Sequence, residues 1–118
     1  MADARWGEVW NVDFGVPKGH EQGAERPAVV VSSDWFNKTK AELHVVVPLS
    51  SKIRAIGTHF RIDPPEGGLD VPSDAMCEHI RSVSADRFAS KRGALDVKTM
   101  DELVKRLKVL LLMGSKGA

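Results

Sequence analysis

The chain has 118 residues, and 17 Lys and Arg set against 16 Asp and Glu leave a formal net charge of +1. That length fits one domain able to bury a core without disulfide or metal staples. The near-neutral balance excludes a global field for nucleic acid or membrane, so an anionic partner must be held by a local cluster of charge, and the single cysteine, Cys77, excludes an internal disulfide.

The N-terminal MADARWGEVW lacks the charged start, apolar run and small-residue cleavage site of a signal peptide. The longest apolar tract, Val109 to Met113, is too short to cross a bilayer. The expectation is a soluble, cytoplasmic protein with no membrane contact. One domain over 1–118 is expected, ordered from about residue 5 to about residue 113, with Gly114 to Ala118 as a frayed tail.

Between Trp6 and Phe14, the residues Trp10, Val12 and Phe14 alternate with Asn11 and Asp13, the period of a strand with one buried face. Gly15 to Glu25, with Pro17, Gly19 and Gly23, reads as a loop. Pro27 to Val31, with three consecutive valines, predicts a strand covered on both faces, with proline at its start where a missing donor costs least. Ser33 and Asp34 can cap a single helical turn through Trp35 and Phe36. Leu43 to Leu49 predicts another buried strand, closed by Pro48, and Ser50 to Gly57 a polar loop carrying Lys52 and Arg54.

Phe60 and Ile62 alternate with His59, Arg61 and Asp63, which places His59, and by the same logic His44, toward solvent. Pro64 to Pro72 is a turn-rich connection. Asp74 to Val83 alternates weakly and predicts one strand with Glu78 and Arg81 near its centre; Ser84 can cap a helical turn, and Gly93 to Leu95 can form a short final strand. Thr99 and Glu102 match a capping box opening a terminal helix, along which Met100, Leu103, Val104, Leu107, Leu110 and Leu111 form an apolar stripe. Val109, Leu112 and Met113 widen that surface, which either a second copy of the chain or a covering loop would bury. The sum is a mainly β protein with α: a small barrel-like sheet of mostly antiparallel strands, short helices and an amphipathic C-terminal helix.

His20, His44, His59 and His79 lie on four separate segments, and Cys77-Glu78-His79 lacks the spacing of a metal knuckle. Neither Ser50 nor Ser51 lies in a Gly-x-Ser-x-Gly elbow, and glycine-rich phosphate loops are absent. There remain Arg26 at a loop–strand junction, Ser50-Ser51 at a strand end, and Glu78-His79-x-Arg81 downstream. If their strands are neighbours, a rigid guanidinium fork and a hydroxyl converge on one rim, the outline of a phosphodiester site.

KGHEQGAERPAVVVS, preceded by RWGEVWNVDF and followed by VVVPLSSK, GTHFRI and CEHIRSVSADRF, resembles the MazF/PemK/Kid family of toxin endoribonucleases over roughly Arg5 to Met113. The resemblance implies an SH3-like barrel that forms a homodimer, cuts single-stranded RNA at short sequences with neither metal nor cofactor, and is partnered with a cognate antitoxin occupying the RNA groove. The family's catalytic arginine falls on Arg26 and its catalytic hydroxyl on Ser50; Glu21 and Gln22 match its loop, and His20 matches the histidine of the plasmid-borne branch. The implied chemistry is attack of a ribose 2′-OH on the adjacent phosphate, with Arg26 on transition-state charge or proton transfer and Ser50 donating to the phosphate or assisting the leaving oxygen.

Two departures stand out: Ser50 replaces the commoner threonine, losing the methyl that restricts its rotamer, and Met76 and Glu78 stand where the plasmid-borne branch has an arginine and an aspartate. Ser51 joins the second wall of the groove. Lys52 and Arg54 would hold RNA phosphates or be solvated, Glu78 and Arg81 would read base edges or pair with each other, and Trp35 is the tryptophan expected to be exposed. A second function class stays open: a non-catalytic module on the same fold, binding RNA or, like the gyrase poison CcdB, targeting a protein.

Overall fold

The structure, a computed structural model, describes residues 3–16, 19 and 24–112. Seven strands form one antiparallel sheet: β1 (Glu8–Asp13), β2 (Glu25–Val30), β3 (Leu43–Ser50), β4 (His59–Ile62), β5 (Ser73–Met76), β6 (Arg81–Ser84) and β7 (Phe88–Ala94). Their order is β4-β5-β3-β2-β1-β7, with β6 beside the first half of β3. The sheet has the outline of a small barrel and does not close. The short helix α1 (Asp34–Asn37) follows β2, and α2 (Val97–Leu111) ends the fold.

Alternation along β2 sends Val29 to one face and Ala28 and Val30 to the other, and all three are buried, as a run of valines requires when both faces are covered. On the first face, Val9, Val29, Val47, Leu49 and Ile62 pack with Met100, Leu103 and Leu107 of α2. On the second, Val12, Phe14, Val30, Val46, Val83 and Phe88 form a separate cluster, with Trp10 half-buried and edge-on to Phe88 at 5.8 Å. Ser33 caps α1 by accepting from the Phe36 amide, and Trp35 is exposed, both as expected.

Several expectations are corrected. Pro48 does not close its strand but lies inside β3, opposite Ala28. Alternation turns its missing N–H toward the gap between the last β6 pair, Val46–Arg81, and the first β5 pair, Leu49–Ala75, where no ladder bond is lost. Nor is Asp74 to Val83 one strand. Continuing the Leu49–Ala75 register would set Glu78 opposite Val46, yet Arg81 stands there, and a 3-10 turn, Cys77–His79, takes up the difference. The final strand begins at Phe88 rather than Gly93.

The terminal helix starts one turn earlier than the Thr99–Glu102 box implies. Asp96 is the N-cap and accepts from the Thr99 amide at 2.9 Å, since aspartate caps better than threonine, and Glu102 turns instead to Arg106 at 2.9 Å. His44 is buried rather than solvent-facing, its Nε2 3.0 Å from the Ala4 carbonyl oxygen and its ring against Phe88. Val109, Leu111 and Leu112 stay exposed, so no loop covers the end of α2 among the described residues. No helix there is long and apolar enough to cross a membrane.

Candidate active site

A cavity of about 670 Å3 opens between the start of β2, the end of β3 and the loop after it, the Cys77–His79 turn, and β7. Arg26, the second residue of β2, and Ser50, the last of β3, both line it. So do Ser51, Lys52, Arg54, Glu78 and His79. Four cationic residues, Arg26, Lys52, Arg54 and Arg92, line this space together with the acidic Asp70 and Glu78, and Arg92 Nη2 lies 3.1 Å from Asp70 Oδ2. The charge absent from the chain as a whole is concentrated here, which suits a phosphate-bearing ligand. The Ser50 hydroxyl oxygen accepts from the Lys52 amide at 3.2 Å, so its own proton remains to be donated.

Behind this wall lies a polar network that reading the sequence missed. Asp74 pairs with Ser50 across β3–β5 and with Arg61 across β4–β5, and its carboxylate is buried. Its Oδ2 accepts from the Arg54 amide at 2.9 Å and lies 3.1 Å from His59 Nδ1. One buried oxygen therefore pins both the basic loop and the imidazole. His59, corrected from a solvent-facing residue to a buried one, bridges onward through Nε2 to Glu78 Oε2 at 2.6 Å, while Thr58 Oγ1 donates to Glu78 Oε1 at 2.7 Å.

Glu78 thus lines the cavity with both oxygens braced. Burial works to raise its pKa, but the hydrogen bonds from Thr58 and His59 outweigh that, holding the carboxyl below the ordinary range. Cys77, one residue earlier, is buried as expected, and burial pushes its thiol up to about 11, which suits a packing role.

Arg81 does not line the cavity; its guanidinium carbon sits 5.4 Å from the centre of the Phe14 ring. The Glu78–Arg81 pairing gives way to Glu78–His59 because the turn lifts Glu78 out of strand register. His20, Glu21 and Gln22 lie outside the described residues. Among the described residues no three His, Cys, Asp or Glu side chains are grouped so as to hold a metal ion. His59 and Asp74 left no local signal: they become neighbours only when β4 pairs with β5.

A small, partly rolled antiparallel sheet, backed by one helix and carrying a cavity lined by cationic and hydroxyl-bearing residues, defines a compact β protein with one open cleft along its strand ends. The chain belongs to the family of PemK-like, MazF-like toxins of type II toxin–antitoxin systems, whose model matches residues 5–111. It is 34% identical over 116 residues to endoribonuclease MazF9 of Mycobacterium tuberculosis, covering 94% of this chain and 98% of that one. Endoribonuclease EndoA of Bacillus subtilis is 28% identical over 91% of this chain and 93% of its own length. Among solved structures, MazF of Deinococcus radiodurans superposes with a TM-score of 0.78 at 25% identity, covering 91% of this chain and 94% of that one.

Proposed function

We propose that this chain is a toxin endoribonuclease that cleaves single-stranded RNA at a short specific sequence, with no metal ion, through attack of a ribose 2′-OH on the adjacent phosphate. The products are a 2′,3′-cyclic phosphate and a 5′-OH end. The observation that carries this reading is the convergence of Arg26 and Ser50 on one cavity where cations outnumber carboxylates. The nucleophile belongs to the substrate, so the protein's task is to place the 2′-OH in line and to offset the charge that grows on the phosphate.

Arg26 meets that charge with a fork matched to phosphate oxygens. Ser50, its oxygen already engaged by the Lys52 amide, donates its proton to the phosphate or to the leaving oxygen. Ser51, Lys52 and Arg54 hold the backbone, and the ionised Glu78 accepts from donor groups on a base edge. His20, Glu21 and Gln22 form a further substrate-contacting rim in this reading, whereas Arg81 acts only beyond the cavity.

The same reading makes the protein cytoplasmic, homodimeric through the exposed end of α2, and silenced by a cognate antitoxin covering the cavity. The endoribonuclease names of the relatives from M. tuberculosis and B. subtilis support it. The test incubates purified protein with a long single-stranded RNA in chelator and maps the ends. Discrete 5′-OH ends are expected, with Arg26→Ala slowing cleavage by about a hundredfold or more. No discrete ends, or equal cutting by Arg26→Ala, would overturn the proposal in favour of a non-catalytic binding module.

A further inference from the structure

Arg92 of β7 and Asp70, just beyond the Glu66–Gly68 turn, line the same cavity as Arg26 and Ser50 but belong to neither of their motifs. Glycine locks that turn onto β7. Gly68 has φ +67°, and a Cβ there would run into the Arg92 carbonyl; a Cβ on Gly93 would meet the Gly67 carbonyl carbon at 2.8 Å. The close approach sets the guanidinium: Nη1 donates to Asn11 Oδ1 at 3.4 Å, and Nη2 is shared between the Gly68 carbonyl oxygen and Asp70 Oδ2, each at 3.1 Å. The two sides of this ion pair are unlike. The Arg92 side chain is 23% exposed and held from three directions, whereas that of Asp70 is 89% exposed.

We infer that Arg92 forms a second phosphate subsite, taking an RNA backbone phosphate next to the one at Arg26, and that Asp70 is a built-in competitor which this phosphate displaces. The inference rests on the cavity being the RNA-cutting site proposed above. An exposed carboxylate on arginine is worth little. A phosphate accepts from the same Nη2 that Asp70 holds and releases counterions on arrival, so the exchange favours the polymer. Such a contact carries no sequence information; it fixes the register of the strand on the protein.

The test measures binding of a fluorescent single-stranded DNA oligonucleotide of mixed sequence, which lacks the 2′-OH and cannot be cut by the proposed route, across a salt series. Arg92→Gln should weaken binding about tenfold and flatten the slope of log affinity against log salt by about 0.7. Asp70→Asn should tighten binding, and by more than neutralising an exposed carboxylate outside the cavity, Asp63→Asn, does. The Asp70 position is exposed, so this arm stands even if Arg92→Gln is poorly folded. Binding by Asp70→Asn no tighter than by Asp63→Asn, an unchanged salt slope in folded Arg92→Gln, or a parent that cuts RNA yet does not hold the probe overturns the subsite alone. A parent that neither binds the probe nor cuts RNA overturns the cleavage reading, and the subsite with it.

Discussion

Replacing Asp74 tests whether one buried oxygen organises the cavity wall. Its Oδ2 accepts from the Arg54 amide at 2.9 Å and faces His59 Nδ1 at 3.1 Å, and both side chains of the latter pair are at most 4% exposed. Asp74→Ala leaves the buried His59 Nδ1 without its carboxylate partner, while the Arg54 amide, on an exposed residue, can turn to water, so the expected loss is about 1–3 kcal/mol. Asp74→Asn can place its amide oxygen where Oδ2 lies and keep both contacts, losing only the charge, so about 1 kcal/mol is expected. Urea denaturation gives the stabilities, and exchange of the Arg54 amide reports the loop directly. Cleavage should fall further in Asp74→Ala than in Asp74→Asn, because the freed loop carries Ser51 and Lys52. An Asp74→Ala loss within about 0.5 kcal/mol of the parent, the range of an ordinary surface change, would refute the argument. So would an Asn variant as costly as the Ala variant.

Ser50→Thr should preserve or raise the single-turnover cleavage rate and Ser50→Ala lower it; an unchanged Ala variant would remove Ser50 from the mechanism. Glu78 has its pKa lowered on folding, burial being outweighed by Thr58 and His59, so its stabilisation is present above the ordinary carboxylate pKa and is lost as pH falls through the depressed folded value. Glu78→Gln should therefore flatten the acid limb of the stability–pH curve, and an identical limb in both proteins would contradict that assignment. Leu111→Lys, at a position 61% exposed on α2, should shift sedimentation from dimer toward monomer while leaving the helix folded. A monomeric parent, or a dimer indifferent to the change, would disprove the proposed interface.

Where covalent pattern and local burial coincide, the sequence was readable. The valines of β2 announced a strand with two covered faces, and Met100, Leu103 and Leu107 of the α2 stripe announced which side meets the sheet, whereas Leu110 and Leu111 of that stripe stay exposed. The start of α2 was misread by one turn because two local caps compete, and the stronger, Asp96, lies just upstream of the recognised box. The break between β5 and β6 was invisible for a different reason. Its residues alternate passably as one strand, and only the register each half keeps with β3 demands the Cys77–His79 turn.

The site divides along the same line. Arg26 and Ser50, which line the cavity, could be singled out as candidates because each sits in a contiguous motif whose order along the chain carries information. His59 and Asp74 could not, since an isolated histidine in an alternating segment looks solvent-facing until the opposite strand is known. Asp74 stands opposite Ser50 on one side and Arg61 on the other, so β5 brings its carboxylate to the point where the hydroxyl-bearing strand, the basic loop and the imidazole meet. Every partner of that carboxylate is remote in sequence, and a local substitution pattern around Asp74 would say nothing of its work. The turn that carries Glu78 out of register and the pairing that buries Asp74 both arise from β5, which shares β3 with β6 on one side and pairs with β4 on the other. The part of the site that sequence conceals is thus the part made by strand register, whereas the part it displays is made by single segments.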